Sequence, residues 1–188
     1  MKHYLFLIAL IIISLSACKK DKDKYGPGTQ PQPQQLPPIT TEGKNTFGCL
    51  VNGEVWLPEV KPSQMFVYPL TSSYDNIGFR IDARKRIENL VFQKISMQII
   101  NLNDIGIYYL NSNSSIGSSG SFFNSLIDCL YITDTLQIGK VEILKLDIPN
   151  KIISGTFEMN FYKSDIWGNP DCDTIYITDG RFDVKFAQ

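Results

Sequence analysis

Beyond residue 3 the chain contains no histidine; the single one among its 188 residues is His3. A Ser-His-Asp triad, a Cys-His dyad and a histidine metal site each need an imidazole, so the body of the chain can build none of them. A basic excess is missing too. Residues 46–188 carry 12 Lys and Arg against 16 Asp and Glu, a net charge of −4. Nucleic-acid binding by phosphate neutralisation is thereby disfavoured. No second apolar run approaches the ~20 residues that cross a bilayer. No extended window holds the helical period of about 3.6 residues. No catalytic or cofactor motif appears, so the expectation is no catalytic residue, no cofactor and no resident metal.

What is present begins with Lys2 and His3, ahead of an apolar stretch from Tyr4 to about Ile13. That is too short to span a bilayer and has the proportions of a cleaved secretory signal. It ends in Leu15-Ser16-Ala17-Cys18, which resembles a bacterial lipobox. The resemblance implies that Cys18 is the lipidation site, taking a diacylglycerol on its thiol, and that residues 1–17 are then removed. His3 would leave with them. Each buried acyl CH₂ contributes roughly 0.8 kcal/mol, so two or three chains would anchor the protein to a membrane. The competing reading is an ordinary signal peptide with a chance cysteine.

Residues 18–45 follow as a linker. Lys19, Lys20, Asp21, Lys22, Asp23 and Lys24 lead into Pro27, Pro31, Pro33, Pro37 and Pro38 among Gly and Gln, with little that could pack a core. Such a stretch stays extended at about 3.1 Å per residue where it is polyproline II, and acts as a stalk reaching on the order of tens of Å. Bacterial inner-membrane retention tends to use aspartate directly after the cysteine; here Lys19 stands there. The expected address is the cell envelope, at the outer membrane, on its periplasmic or surface-exposed face. The Lys/Asp run resembles a surface-export tether, or equally serves as a solvated spacer.

Residues 46–188 read as one all-β domain, an antiparallel β-sandwich or flattened barrel. Asn52-Gly53 and Asp179-Gly180 supply the positive φ angles of two-residue type I′ turns. The first predicts a hairpin of Phe47–Val51 with Glu54–Pro58, placing Cys49 opposite Trp56. The second predicts a hairpin of Thr174–Thr178 with Arg181–Phe186. Its register puts Ile175, Ile177, Phe182 and Val184 on one face, and Tyr176, Thr178, Arg181, Asp183 and Lys185 on the other. Ile77, Phe79, Ile81 and Ala83 alternate with polar or small residues, as do Ile95, Met97 and Ile99. Ile153, Phe157, Met159 and Phe161 do the same. Val141–Ile148 changes phase near Ile143-Leu144, which predicts a bulge or a strand buried on both faces. Asn111–Ser121 reads as an exposed, mobile connection.

Three segments carry a family resemblance: Phe47–Pro58 (FGCLVNGEVWLP), Ile153–Glu158 (ISGTFE) and Ile177–Val184 (ITDGRFDV). They resemble an uncharacterised group of Bacteroidota-type lipoproteins that share a domain of unknown function. The resemblance implies an anchored, extracytoplasmic β domain and transfers no activity or catalytic residue.

Once Cys18 is lipidated, Cys49, Cys129 and Cys172 remain for an oxidising compartment, and three single bridges can be drawn. Cys129–Cys172 is favoured, since both flank later strands while Cys49 sits opposite a tryptophan as a core thiol. Asp165, Asn169, Asp171 and Asp173 could offer oxygen ligands to calcium, which takes roughly six to eight. Their spacing lacks the EF-hand pattern, and the turn chemistry of a solvated hairpin loop is the favoured explanation of the same residues. Asp82, Glu88, Glu142 and Glu158 could furnish a glycosidase pair, although strand alternation puts Asp82 and Glu158 on wet faces. Trp56, Tyr108, Tyr109 and Trp167 could stack sugars or fill a core. Two function classes follow. The leading one is a non-enzymatic binding or scaffolding domain held on a membrane by its lipid, with a glycan or protein ligand. The alternative is a carboxylate-dependent, polysaccharide-active enzyme.

Overall fold

Asn52 and Gly53 adopt φ of 51° and 83°, the two positive angles of a type I′ turn. They join β1 (Thr46–Val51) to β2 (Glu54–Trp56), with Cys49 opposite Trp56. The computed structural model describes residues 35–59, 68–88, 91–113, 116–162 and 169–187, and the compact unit they belong to begins at Gln35. Among them there is no helix, and hence none long and apolar enough to cross a membrane.

The strands form two antiparallel sheets packed face to face as a β-sandwich. Sheet A contains β1 and β2 with β6 (Gly106–Leu110), β9 (Gly139–Asp147), β10 (Ile152–Phe161) and β11 (Ile175–Lys185), in the order β2-β1-β11-β10-β9-β6. Sheet B runs in the order β3 (Leu70–Tyr74), β4 (Gly78–Arg86), β5 (Phe92–Ile100), β7 (Ser119–Asn124) and β8 (Cys129–Ile132). Alternate residues from each strand meet between the layers, because side chains on a strand point to opposite faces by turns. Phe182 of sheet A stacks on Phe79 of sheet B at 5.7 Å, and Phe161 meets Tyr131 at the same centroid distance. Two polar tips buried with this core are satisfied: Trp56 Nε1 donates to Gln93 at 2.8 Å and the Tyr131 hydroxyl to the Asp173 carbonyl at 2.7 Å.

The expected phase change in β9 is a bulge. Ser154 pairs with Lys145 but Gly155 with Ile143, which leaves Leu144 as the extra residue. The expected hairpin at Asp179-Gly180 is absent. β11 runs through both residues as one strand, flanked along its length by β1 and β10. Asp179 alone takes positive φ, at 51°, and is the extra residue of a second bulge. β1 and β10 both shift register there, between Gly48 and Leu50 and between Phe157 and Met159. The four apolar residues still share the core face, for a reason of parity. A two-residue turn and a one-residue bulge both move inward-facing positions from odd to even numbers.

Three further expectations change. Ile77 is exposed, because Asp75 Oδ1 accepts from the Ile77 and Gly78 amides and turns the chain before β4 starts. The connection Asn111–Ser121 already belongs to β7 from Ser119 onward, with Gly120 buried. The segment read as flexible through residue 45 lies on sheet A from Pro37 onward, and it buries Asp183 on the face expected to be wet.

Candidate functional site

The carboxylates singled out in the sequence separate into three places. Asp82 lies on the outer face of sheet B, ion-paired to Lys94 at 3.1 Å, and Glu88 sits in the exposed turn after β4. Glu142 on β9 and Glu158 on β10 do come together. Glu142 pairs with Thr156 and Glu158 with Lys140, so the two acids stand diagonally on neighbouring strands of one outward face. Diagonal neighbours of this kind lie about 7–8 Å apart.

They line a groove of about 220 Å³ whose floor is the outer face of sheet A beside the β11 bulge. The bulge places Asp179 and Arg181 next to the two glutamates, where Thr156 completes the floor and Ile39 forms a wall. Charges here are loosely matched. Lys140 Nζ lies 3.7 Å from Glu158 and an Arg181 guanidinium nitrogen 3.9 Å from Asp179. Arg181 Nε also donates to the Asp179 carbonyl at 3.1 Å, and its Nη1 reaches the Pro37 carbonyl at 3.5 Å. The groove is open, and the Glu158 side chain is 57% exposed. Toward the β6 edge the same face carries Ile107 opposite Glu142 and Tyr109 opposite Lys140, the tyrosine 59% exposed.

The groove wall depends on Asp183. Its carboxylate accepts from Thr40 Oγ1 at 2.6 Å and from the amides of Glu42, Gly43 and Lys44 at 3.0, 2.7 and 3.2 Å. Three successive backbone N–H groups converging on one anion form a nest. Burial pushes the carboxyl pKa up, but hydrogen bonds from Thr40 and then from the three amides outweigh it, holding it below the usual carboxylate range. A group with a depressed folded pKa stabilises the native state above its unfolded pKa and loses that contribution as pH falls through the folded one. The gap in denaturation midpoint between the wild-type chain and Asp183→Asn should therefore narrow on acidification through the carboxylate range. A gap that is constant with pH would mean the charge contributes nothing. Nothing in the sequence around Asp183 signals this role, since its partners lie about 140 residues away.

The other candidate residues serve packing. Trp56 is core, and Tyr108 is half-buried with its hydroxyl donating to the Asp104 carbonyl. Cys129 and Cys172 are joined, with an S–S distance of 1.97 Å and Cα atoms 5.7 Å apart. Cys49 is free and buried; burial pushes its thiol up to about 12, against a smaller opposing influence of Lys85. At neutral pH it is a protonated core residue and no nucleophile. Asn169 donates to the Ile127 carbonyl and caps the Asp171 amide, while Asp173 caps Thr174. The last two are turn-forming contacts, and the first ties this segment to the turn before β8. Among the described residues no three His, Cys, Asp or Glu side chains gather as a metal site. Cys18, Asp165 and Trp167 lie outside the described residues.

Comparison with protein-family models, with curated proteins and with solved structures finds no match to this chain.

Chemically, the groove offers carboxylates, an ammonium, a guanidinium and a threonine hydroxyl, beside apolar and aromatic surface. That donor and acceptor set suits a polar ligand laid along the sheet.

Proposed function

We propose that the protein is a lipid-anchored, outer-membrane protein of the cell envelope, related to Bacteroidota-type lipoproteins, whose β-sandwich is a binding or scaffolding module. The anchor is Cys18, and the Pro/Gln-rich segment after it carries the domain away from the bilayer. The observation that supports binding is the groove itself. It is open and mixed in charge, and it is flanked by exposed Tyr109, Ile107 and Ile39. Surfaces that combine exposed apolar residues with a polar rim mark interaction sites. The ligand class is a glycan or a protein.

Anchoring is tested by Cys18→Ser, which should abolish incorporation of labelled lipid and move the protein from the membrane to the soluble fraction. Labelling that survives the substitution would refute the lipobox assignment. Binding is tested with the same soluble full-length variant on a glycan array and in envelope pull-downs. Tyr109→Ala and Glu142→Ala should each remove whatever ligand is retained. Retention that ignores both substitutions would place the binding surface elsewhere. The alternative, a polysaccharide-active enzyme, draws on the meeting of Glu142 with Glu158. Hydrolysis that disappears in Glu142→Gln would decide for it.

A further inference from the structure

Among the described residues the core begins at Phe47, and none from 35 to 46 belongs to the buried apolar cluster. Residues 37–45 nevertheless lie against sheet A, and apart from the Pro37 ring, which sits over Gly48 of β1, what holds them is mostly polar. Arg181 reaches the Pro37 carbonyl, Asp183 collects Thr40 and three amides, and the Lys185 amide donates to Asn45 Oδ1 at 2.8 Å. Within this stretch Gly43 alone is buried. It has positive φ, 74°, and no room for a Cβ, which would lie 2.9 Å from Lys185 Cγ and 3.0 Å from Ile152 Cγ1. Ile39, the groove wall, remains 54% exposed.

We propose that residues 37–45 are a releasable strap, latched by Asp183, whose docking completes the sheet A groove. Four donors converge on one carboxylate, so weakening that single group loosens the strap as a unit. Elements with few buried apolar contacts open at lower free energy than the core to which they are attached. The face beneath also opposes docking. Ser154, paired across strands with Asp183 on the same outer face, has its hydroxyl fully buried with no hydrogen-bond partner among the described residues, a cost that exposure to water would relieve.

Load arriving along the chain from the N-terminal side meets these contacts in series: Pro37, then Thr40, then the three amides, then Asn45. They would peel one after another before β1 is reached, and β1 is bonded on both edges, to β2 and β11. Undocking removes the Ile39 wall and adds nine residues of free chain, about 30 Å when extended. Tension on the connecting segment and occupancy of the groove are thus opposed. A ligand touching Ile39 holds the strap down, and a pull on the strap dismantles the site. This consequence rests on the proposed tether, but strap release concerns the β domain alone.

Hydrogen exchange on the full-length Cys18→Ser chain tests the release. In this background the amides of Glu42, Gly43 and Lys44 should exchange through openings that leave Phe157, Phe182 and Val184 protected. Asp183→Asn should speed the three strap amides by at least about tenfold, the scale of lost hydrogen bonds to a charged group. Core amides should stay unchanged. Strap and core amides exchanging at one common rate in the Cys18→Ser chain would overturn the proposal, whatever Asp183→Asn does. Strap protection unchanged in a folded Asp183→Asn protein would overturn it as well. Should Asp183→Asn fail to fold, Thr40→Val, which removes one donor, must accelerate the same three amides selectively or the latch is refuted. The outcome is independent of the membrane-fractionation result for Cys18.

Discussion

Replacing Cys129 and Cys172 together by alanine should lower the stability of the oxidised protein by about 4 kcal/mol, the chain-entropy value for a loop of this length. The two cysteines are 43 residues apart in sequence. The bridge ties β8, the edge strand of sheet B, to the segment that leads into β11 at the centre of sheet A. In the unfolded chain that tie removes many open conformations, so its loss favours unfolding more than it alters native contacts. For a domain of this size the melting temperature should fall by about 8–16 °C. Calorimetry with and without reductant checks the same quantity in the wild-type chain. Cys49 should play no part, because it is buried and unpaired. A melting temperature that ignores both substitution and reductant would mean that the Tyr131 hydrogen bond to Asp173, with local packing, already holds this segment.

Gly180→Val should destabilise the domain by about 2–3 kcal/mol, the upper part of the range for overpacking a filled site. The cause is contact with Phe157, both its carbonyl oxygen and its ring, since Gly180 itself has no positive φ. Phe157 lies across the strand from Gly180, and a Cβ there would come 2.5 Å from the Phe157 carbonyl oxygen and 2.6 Å from two of its ring carbons. The arrangement is reciprocal. Phe182 pairs with Gly155 on the same two strands, and its ring tip leaves a Gly155 Cβ only 2.9 Å. Each aromatic ring thus covers the glycine opposite, as cross-strand pairs on one face do. Phe157→Ala alone should cost about 3–5 kcal/mol, as for other buried phenylalanines. Combined with Gly180→Val it should cost less than the sum, by about 1–3 kcal/mol, because the vacated ring space accepts the new methyl groups. Strict additivity in a denaturant-melt cycle would show that the clash lies with backbone and not with the ring.

Much of the fold was legible because its signals are local. A type I′ turn at Asn52-Gly53 depends on two residues that tolerate positive φ, and the residues on either side then face each other in a set order. Ile95, Met97 and Ile99 are core because they alternate along β5, and all three are buried. The phase slip at Ile143-Leu144 marked an irregularity for the same reason, while leaving a bulge and a strand buried on both faces equally open. The groove was only half legible. Glu142 and Glu158 could be named as acids on strands, but their meeting depends on β9 lying beside β10. Arg181, Asp179 and Ile39 were not legible at all as partners of those acids.

By itself, then, the sequence determined the all-β character, the inward set of residues on most strands and the tight turn at Asn52-Gly53. Each of these follows from the two-residue period of a strand or from the backbone freedom of one or two residues. Tertiary structure alone decided what Asp179-Gly180 became. A turn and a bulge shift side-chain parity identically, so the pattern of Ile175, Ile177, Phe182 and Val184 fits both. The choice fell to the bulge because β1 and β10 offer hydrogen bonds along both edges of the whole segment, which folding back on itself would forfeit. Tertiary structure likewise took Asp183 from a wet face to 1% exposure. A carboxylate is buried only where donors meet it, and here those donors arrive from the far end of the domain's chain.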